Sequence, residues 1–352
     1  MKKKGIGYAS IFYGTGYGNG FPDESRASAK IENNGTINIY VEVSDVGSGG
    51  KSIMWQIATK TLNIDKNLVN IINTDTSILK DSGTAAASRQ TYNTGNAVLN
   101  ACSKLRNNIN KVINKSEKLT SSDMIKKILQ HMIKNNISTY EDGYFKATTS
   151  KIHNEDGQGN PYWPYTFGAQ RATVIVDTET GKIDVLEIVA INDAGKIINP
   201  TLAEGQVEGG CLMGIGYALM EEIDLNKGKI KNTNFSNYII PTSMDMPNIQ
   251  SYFVEENEYT GPFGAKGLGE PVMLPTAPAI LNAIYDAIGI RFYELPVTCE
   301  KVLAALKYKK RGCIKKIWYL PIKKRKFEFE LPFLRIVIIW KTSQKMWFLC
   351  NK

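Results

Sequence analysis

The sequence predicts an α+β fold, with mixed layers of helix and sheet, on three observations. Segments that alternate at period two stand beside segments with apolar residues at helical spacing. Glycine-rich turns separate the two kinds of segment, and no internal repeat is visible. Residues 36–42 (TINIYVE) alternate and are β-branched, which predicts a strand. Residues 52–62 place Ile53, Met54, Ile57, Ala58 and Leu62 on one helical face, and 68–72 read as a short strand. Helices are expected over 92–113 and 121–132, the second capped by Ser122 or Asp123. Residues 170–176 and 183–191 form a predicted β-hairpin, because 177–182 (DTETGK) has turn chemistry. A small-residue helix over 206–222, a strand over 251–255 and a helix over 276–288 complete the body.

Composition narrows the possible classes. Of 352 residues, 43% are hydrophobic and 22% charged, the usual balance of a soluble globular protein. The net charge of +9 is concentrated in one place. Residues 307–352 hold 14 Lys and Arg against Glu328 and Glu330, which leaves 29 basic and 32 acidic groups, a net of −3, in 1–306. The expected organisation is therefore a body over 1–306 and a basic, aromatic tail over 307–352. That tail contains Trp318, Trp340, Trp347 and the apolar run Leu331–Trp340. Five scattered cysteines without paired spacing suit a reduced, cytoplasmic chain. Only His131 and His153 supply imidazole, which argues against a protein-ligated zinc or iron site. The basic N-terminus lacks an apolar core of the secretory kind, and no run is long enough to span a membrane.

Four glycine-rich turns each lead toward a predicted helix: 46–50 (VGSGG), 82–90 (SGTAAASRQ), 204–210 (EGQVEGG) and 261–270 (GPFGAKGLGE). Glycine admits a ligand close to the backbone, and a helix N-terminus offers free N–H groups to oxygen or phosphate. Four such turns suggest loops converging on one large, polar, phosphorylated ligand, although any one of them could be only a turn. None fits a P-loop, and Gly14–Gly20 lacks the strand–turn–helix frame of a dinucleotide site. Glu270 lies between a glycine pair and a nearly apolar run beginning at Pro271. A carboxylate so placed loses hydration, which suits a general base; the alternative is an acid favoured by a helix start. Arg89 and Gln90 could hold phosphate or carbonyl groups or lie on the surface, and Gln206 could bind a ligand or cap its helix. Lys266 could steer an anion or be solvated, and Cys211 reads as a packed thiol.

Taken together, 205–216 (GQVEGGCLMGIG), 192–200 (NDAGKIINP) and 266–271 (KGLGEP) resemble the molybdenum hydroxylases of the xanthine dehydrogenase and aldehyde oxidoreductase type. The resemblance runs from about Gly5 to Leu306 and is to the C-terminal half of the molybdopterin-binding subunit. It is similar to the shorter subunit of split enzymes of the nicotinate dehydrogenase kind. The resemblance implies that Glu270 is the active-site base and that Gln206 contacts the pterin. It also implies that Ala86, Ala87, Ser88, Arg89 and Gln90 surround the pterin and phosphate. Gly47, Ser48 and Gly49 match a Gly-Gln-Gly turn in which serine replaces glutamine, so the hydrogen bond made there would need a water.

The implied cofactor is molybdenum held through molybdopterin, in its cytosine dinucleotide form, with no protein ligand to the metal. The implied reaction is hydroxylation of a purine, another N-heteroaromatic compound or an aldehyde, with oxygen from water. Electrons would pass to Fe–S and FAD centres on partner subunits, and a larger molybdopterin subunit would supply the substrate-clamping arginine and a phenylalanine pair. No membrane or nucleic-acid partner is expected. The alternatives are a non-catalytic or degenerate partner subunit, and an anion- or nucleic-acid-binding protein acting through the basic tail.

Overall fold

A computed structural model describes residues 1–18, 21–153, 155–310 and three short strands of the tail. The chain divides into two compact units, Met1–Leu303 and Ala304–Lys352. In the first unit, two four-stranded sheets each carry helices, an α+β arrangement as the sequence predicts.

The first sheet runs in the order β4 (Val69–Ile72), β3 (Ile37–Val41), β2 (Glu24–Ile31), β5 (Tyr140–Lys146), with β3 and β4 parallel and the other pairs antiparallel. Ile37, Ile39 and Val41 bury alternate positions of β3. They join a core with Ile57 and Leu62 of α1 (Gly50–Leu62) and with Ala97, Ala101 and Leu105 of α2 (Gly95–Ile109). α3 (Ser122–Lys134) adds Ile125 and Met132. Its cap is Ser121, whose side chain accepts the Met124 N–H, one residue before the position the sequence suggested.

The second sheet has the order β1 (Lys2–Gly14), β6 (Tyr165–Asp177), β7 (Ile183–Asp193), β10 (Asn248–Val254). β6 and β7 are the predicted hairpin, and β10 joins β7 in parallel after a crossover through α4 (Pro200–Leu219). α4 begins before the predicted start because Asn199 caps it, accepting the Leu202 N–H, and Pro200 suits the first turn. α5 (Thr276–Ile288) lies on β1. A Cβ on Gly5 would come within 2.1 Å of the Ala283 oxygen, and one on Gly7 within 2.1 Å of the Ala283 nitrogen. The helix backbone thus rests directly on the strand. The same glycines hide the alternation of β1 in the sequence, which is why no strand was expected there.

β8 (Leu225–Asn226) and β9 (Lys229–Ile230) form a small ladder after α4, and α6 (Cys299–Lys310) follows the second sheet. Among the described residues no helix is long and apolar enough to cross a membrane. In the second unit β11 (Phe327–Leu331), β12 (Leu334–Ile338) and β13 (Phe348–Asn351) pair antiparallel in that order. Trp318, Trp340 and Trp347, on which the basic–aromatic reading of the tail depends, lie outside the described residues.

Candidate functional site

The four glycine-rich turns meet around one cavity of about 450 Å³. Its wall takes Gly47 and Ser48 from the turn before α1, and Ala86, Ser88, Arg89 and Gln90 from the second turn. Gln206, Gly209 and Gly210 come from α4, and Gly269 and Glu270 from the loop before α5. The segment 192–200 adds Ala194 and Lys196 through Asn199. Of the residues expected at the site, Gly49 and Ala87 alone are absent from the wall; Gly49 is the left-handed cap of α1, with φ 71°.

The second turn is held in an unfavourable backbone conformation. Ala87 and Ser88 both have positive φ, 55° and 52°, which costs about 1–2 kcal/mol per non-glycine residue. Three contacts hold it. The Ala87 carbonyl accepts the Gly16 N–H at 3.0 Å, and Ser88 Oγ accepts the Glu270 N–H at 2.8 Å. Gly267 packs so tightly that a Cβ there would lie 2.0 Å from the Ser88 oxygen. The chain then enters a π-helical turn, Gln90–Thr94, before α2.

Glu270 is half-buried at the cavity wall, and its Oε2 accepts a hydrogen bond from the Tyr13 hydroxyl at 3.2 Å. Burial, and then the charge of Glu270, push the Tyr13 phenol up to about 12. Tyr13 therefore stays protonated at ordinary pH and remains a donor to the carboxylate. Sequence reasoning missed Tyr13 because it lies at the end of the unpredicted strand β1.

Arg89 requires a correction. It is neither a surface residue nor a free phosphate fork: it is 1% exposed and every guanidinium N–H has a partner inside the protein. Nε donates to Asp23 Oδ1 at 2.6 Å, one terminal nitrogen to the Ser82 and Thr84 carbonyls, and the other to the Glu24 carbonyl and Ser25 Oγ. Lys266 is likewise neither solvated nor free to steer an anion, since it is buried and paired with Asp193 at 2.6 Å. Gln90 uses its amide on the Ser44 carbonyl. Gln206 does not cap its helix; its Nε2 reaches across to the Gly47 carbonyl at 3.3 Å and joins two of the turns. Cys211 is a packed thiol, pushed up to about 11 by burial, and both histidines are exposed.

The remaining wall suits a large group with oxygen and amide edges. Ser48 Oγ is buried with no hydrogen-bond partner among the described residues, and α1 begins at Gly50, after the cap Gly49, without a side-chain cap. Gly47 and Gly209 have open space where a Cβ would stand, so a planar ligand can approach the backbone there. These features fit a pterin cofactor and its phosphate.

Residues 1–247 match the family model of the molybdopterin cofactor-binding domain. The chain is 31% identical over 317 residues to the putative xanthine dehydrogenase molybdenum-binding subunit of Escherichia coli, covering 85% of this chain and 42% of that one. The aldehyde oxidoreductase structure from Desulfovibrio gigas superposes with a TM-score of 0.76 at 30% identity, over 87% of this chain and 33% of that one. The Desulfovibrio desulfuricans enzyme gives 0.75 at 32% identity, over 86% of this chain and 32% of that one. The chain thus spans less than half the length of the relatives it matches. With the family model covering most of its length, this chain belongs to the molybdopterin cofactor-binding domain family.

Proposed function

We propose that this chain is the base-bearing portion of the active centre of a molybdenum hydroxylase acting on an N-heteroaromatic compound, such as a purine, or on an aldehyde. The observation that carries the reading is the convergence of four separate turns on one cavity with Glu270 in its wall. When bound, a molybdenum–pterin group, in the cytosine dinucleotide form, supplies the two-electron chemistry.

The chain's own part is to bind the cofactor and move a proton. Gly47, Ser48, Ala86, Ser88 and Gln206 face the pterin edge and phosphates, with the Ser48 hydroxyl and the Gln206 amide as side-chain donors; the Gly47 and Ala86 N–H groups are engaged by Asp45 Oδ1 and the Thr84 carbonyl. Glu270 accepts the proton that leaves as water-derived oxygen is delivered to the substrate carbon. Tyr13, kept protonated, orients the Glu270 carboxylate, and the Ser88 hydroxyl fixes its backbone. Residues 192–200 and α4 form one side of the cavity. A larger molybdopterin subunit completes the wall, and Fe–S and FAD subunits take the electrons.

The test is Glu270→Gln in the purified complex, which keeps the side chain's shape and removes the base. Molybdenum and pterin content should be unchanged, while turnover falls by at least about 10²-fold, the low end for losing a general base. Turnover close to that of the parent would sink the mechanism.

A further inference from the structure

A second cavity, of about 530 Å³, lies along the C-terminal half of α1, away from the turn 47–49 that faces the cofactor cavity. Among the described residues the two cavities share only the strip 196–198. Trp55 and Phe263 line the second cavity, and Ile64, Ile197 and Ile198 add aliphatic surface. Both aromatic side chains are half-buried against the core. Trp55 Nε1 donates to the Lys66 carbonyl at 3.2 Å, which fixes the indole. Phe263 stands at φ 53°, a left-handed conformation that is rare for a bulky residue.

The charge of this cavity runs against that of the body. Residues 1–306 carry 29 basic and 32 acidic groups. Yet Lys60, Lys66, Lys118 and Lys196 line the cavity, and among the described residues no Asp or Glu does. Lys196 is matched, since its ammonium pairs with Glu255. Lys60, Lys66 and Lys118 have no ion pair among the described residues; the Lys60 ammonium stands 4.2 Å from the centre of the Phe263 ring. The three come from separate segments that are tied together. The Leu119 N–H donates to the Asn63 carbonyl at 2.9 Å, and the Asp65 N–H to the Leu119 carbonyl at 2.7 Å. Buried Arg106 adds bonds to the Leu62, Lys115 and Glu117 carbonyls. A single solvated lysine needs no explanation. Three unmatched cations held around one aromatic concavity suit a flat anion.

We propose that this cavity is a second ligand site, for an aromatic phosphate monoester of mononucleotide size. A phosphate monoester carries about −1.5 to −2 near neutral pH, which two or three ammonium groups balance. A lone carboxylate would leave the lysines in excess. Lysine serves phosphate as a point charge, without the fixed fork of arginine. The ring of the ligand meets Trp55, Phe263 and the isoleucines, and the cavity is within the roughly 300–1,000 Å³ usual for small-molecule sites. None of the four glycine-rich turns belongs to this site except through Phe263, so it stands apart from the cofactor.

The experiment isolates the full chain from its own cells, with whatever it retains, and titrates it calorimetrically with adenosine, guanosine, cytidine and uridine 5′-monophosphates. At least one should bind, and its parent nucleoside, inorganic phosphate and benzoate should each bind at least about tenfold more weakly. The double variant Lys60→Gln/Lys118→Gln should melt with the parent, since both side chains are exposed, and keep its molybdenum and pterin content. Its affinity for the monophosphate should fall at least about tenfold. Lys127→Gln/Lys134→Gln removes the same charge from the exposed side of α3 and should bind as the parent does. In the parent, bound monophosphate should slow acetylation of Lys60, Lys66 and Lys118 and leave that of Lys127 unchanged. Failure of all these monophosphates to bind overturns the proposal. So does equal binding of the nucleoside, of phosphate or of benzoate. An equal loss in both double variants would show general charge attraction and overturns it too. Should Lys60→Gln/Lys118→Gln misfold, the acetylation pattern of the parent decides alone.

Discussion

Glu270 with Tyr13, and Asp23 with Arg89, are two acid–donor pairs reached by the same construction. In each, a helix lies directly on a glycine-bearing strand and the pair forms where the two elements lead. α5 runs against β1, so that Gly7 meets Ala279 and Gly5 meets Ala283 and Ala287. Continued in that sense, the strand brings Tyr13 to the loop that precedes the helix, where Glu270 stands. α2 covers β5 the same way: a Cβ on Gly143 would lie 2.0 Å from the Ala97 oxygen. Past the end of β5, the Ala147 N–H binds the Asp23 carbonyl, and α2 follows directly on the turn that holds Arg89. One pair is sealed, with Arg89 and Asp23 side chains 1% and 7% exposed. The other faces the cavity, and its donor is neutral. A charged, saturated, closed pair locks loops together. An open carboxylate with a neutral donor keeps a lone pair for a proton.

The largest effect expected from this contrast is that of Arg89→Ala. It leaves Asp23 buried without its cation and strips partners from three carbonyls, a loss of about 3–5 kcal/mol for breaking a buried pair from one side. The melting temperature of the complex should fall steeply whether or not cofactor is bound. An unchanged melt with low cofactor occupancy would return Arg89 to the cofactor's phosphates and dissolve the distinction between the pairs.

Gly7→Ala and Gly143→Ala sharpen the comparison, because each drives a methyl into a helix backbone. Both should cost about 1–3 kcal/mol, the usual range for overpacking. Only Gly7→Ala should disturb the cavity, and the titration of Tyr13 reports it. With its phenol raised to about 12, folded Tyr13 keeps a proton that the unfolded chain releases near pH 10. Its contribution to stability is therefore fully present below about pH 10 and is lost as pH rises toward 12. Tyr92 is also pushed up to about 12 by burial, so ultraviolet titration reads Tyr13 as the late ionisation lost on adding Tyr13→Phe to each background; that difference should move downward in Gly7→Ala and stay in place in Gly143→Ala. Equal titrations in the two glycine variants would mean that α5 does not set the Tyr13–Glu270 contact.

Most of the framework was legible in the sequence, because period and turn chemistry are local. The hairpin β6–β7, helix α5 and strand β3 depend on residues within each segment. The residues of the four turns could be named as well, since glycine spacing is written in the chain. What could not be read is which donors are already occupied. Arg89 looks available until Asp23, some 66 residues earlier in the chain, is seen to hold it, and Lys266 looks available until Asp193 does. Tyr13 was invisible for another reason: the glycines that let α5 rest on β1 erase the alternation that marks a strand.

Ser88 gives the smallest and most discriminating change. Its hydroxyl accepts the Glu270 N–H, while its own backbone sits at φ 52°. Ser88→Ala removes the hydrogen bond and keeps the strained backbone, so stability should fall by about 0.5–1.5 kcal/mol. Ser88→Gly removes the same bond but adopts the left-handed conformation freely, relieving about 1–2 kcal/mol of backbone strain. The two terms nearly cancel, and Ser88→Gly should melt close to the parent. Turnover should follow the hydroxyl instead of the melt. Both variants free the Glu270 backbone and should lose activity to a similar, modest extent, while cofactor content holds. If Ser88→Gly recovered activity along with stability, the hydroxyl would have no part in placing Glu270, and the turn would matter only for its shape.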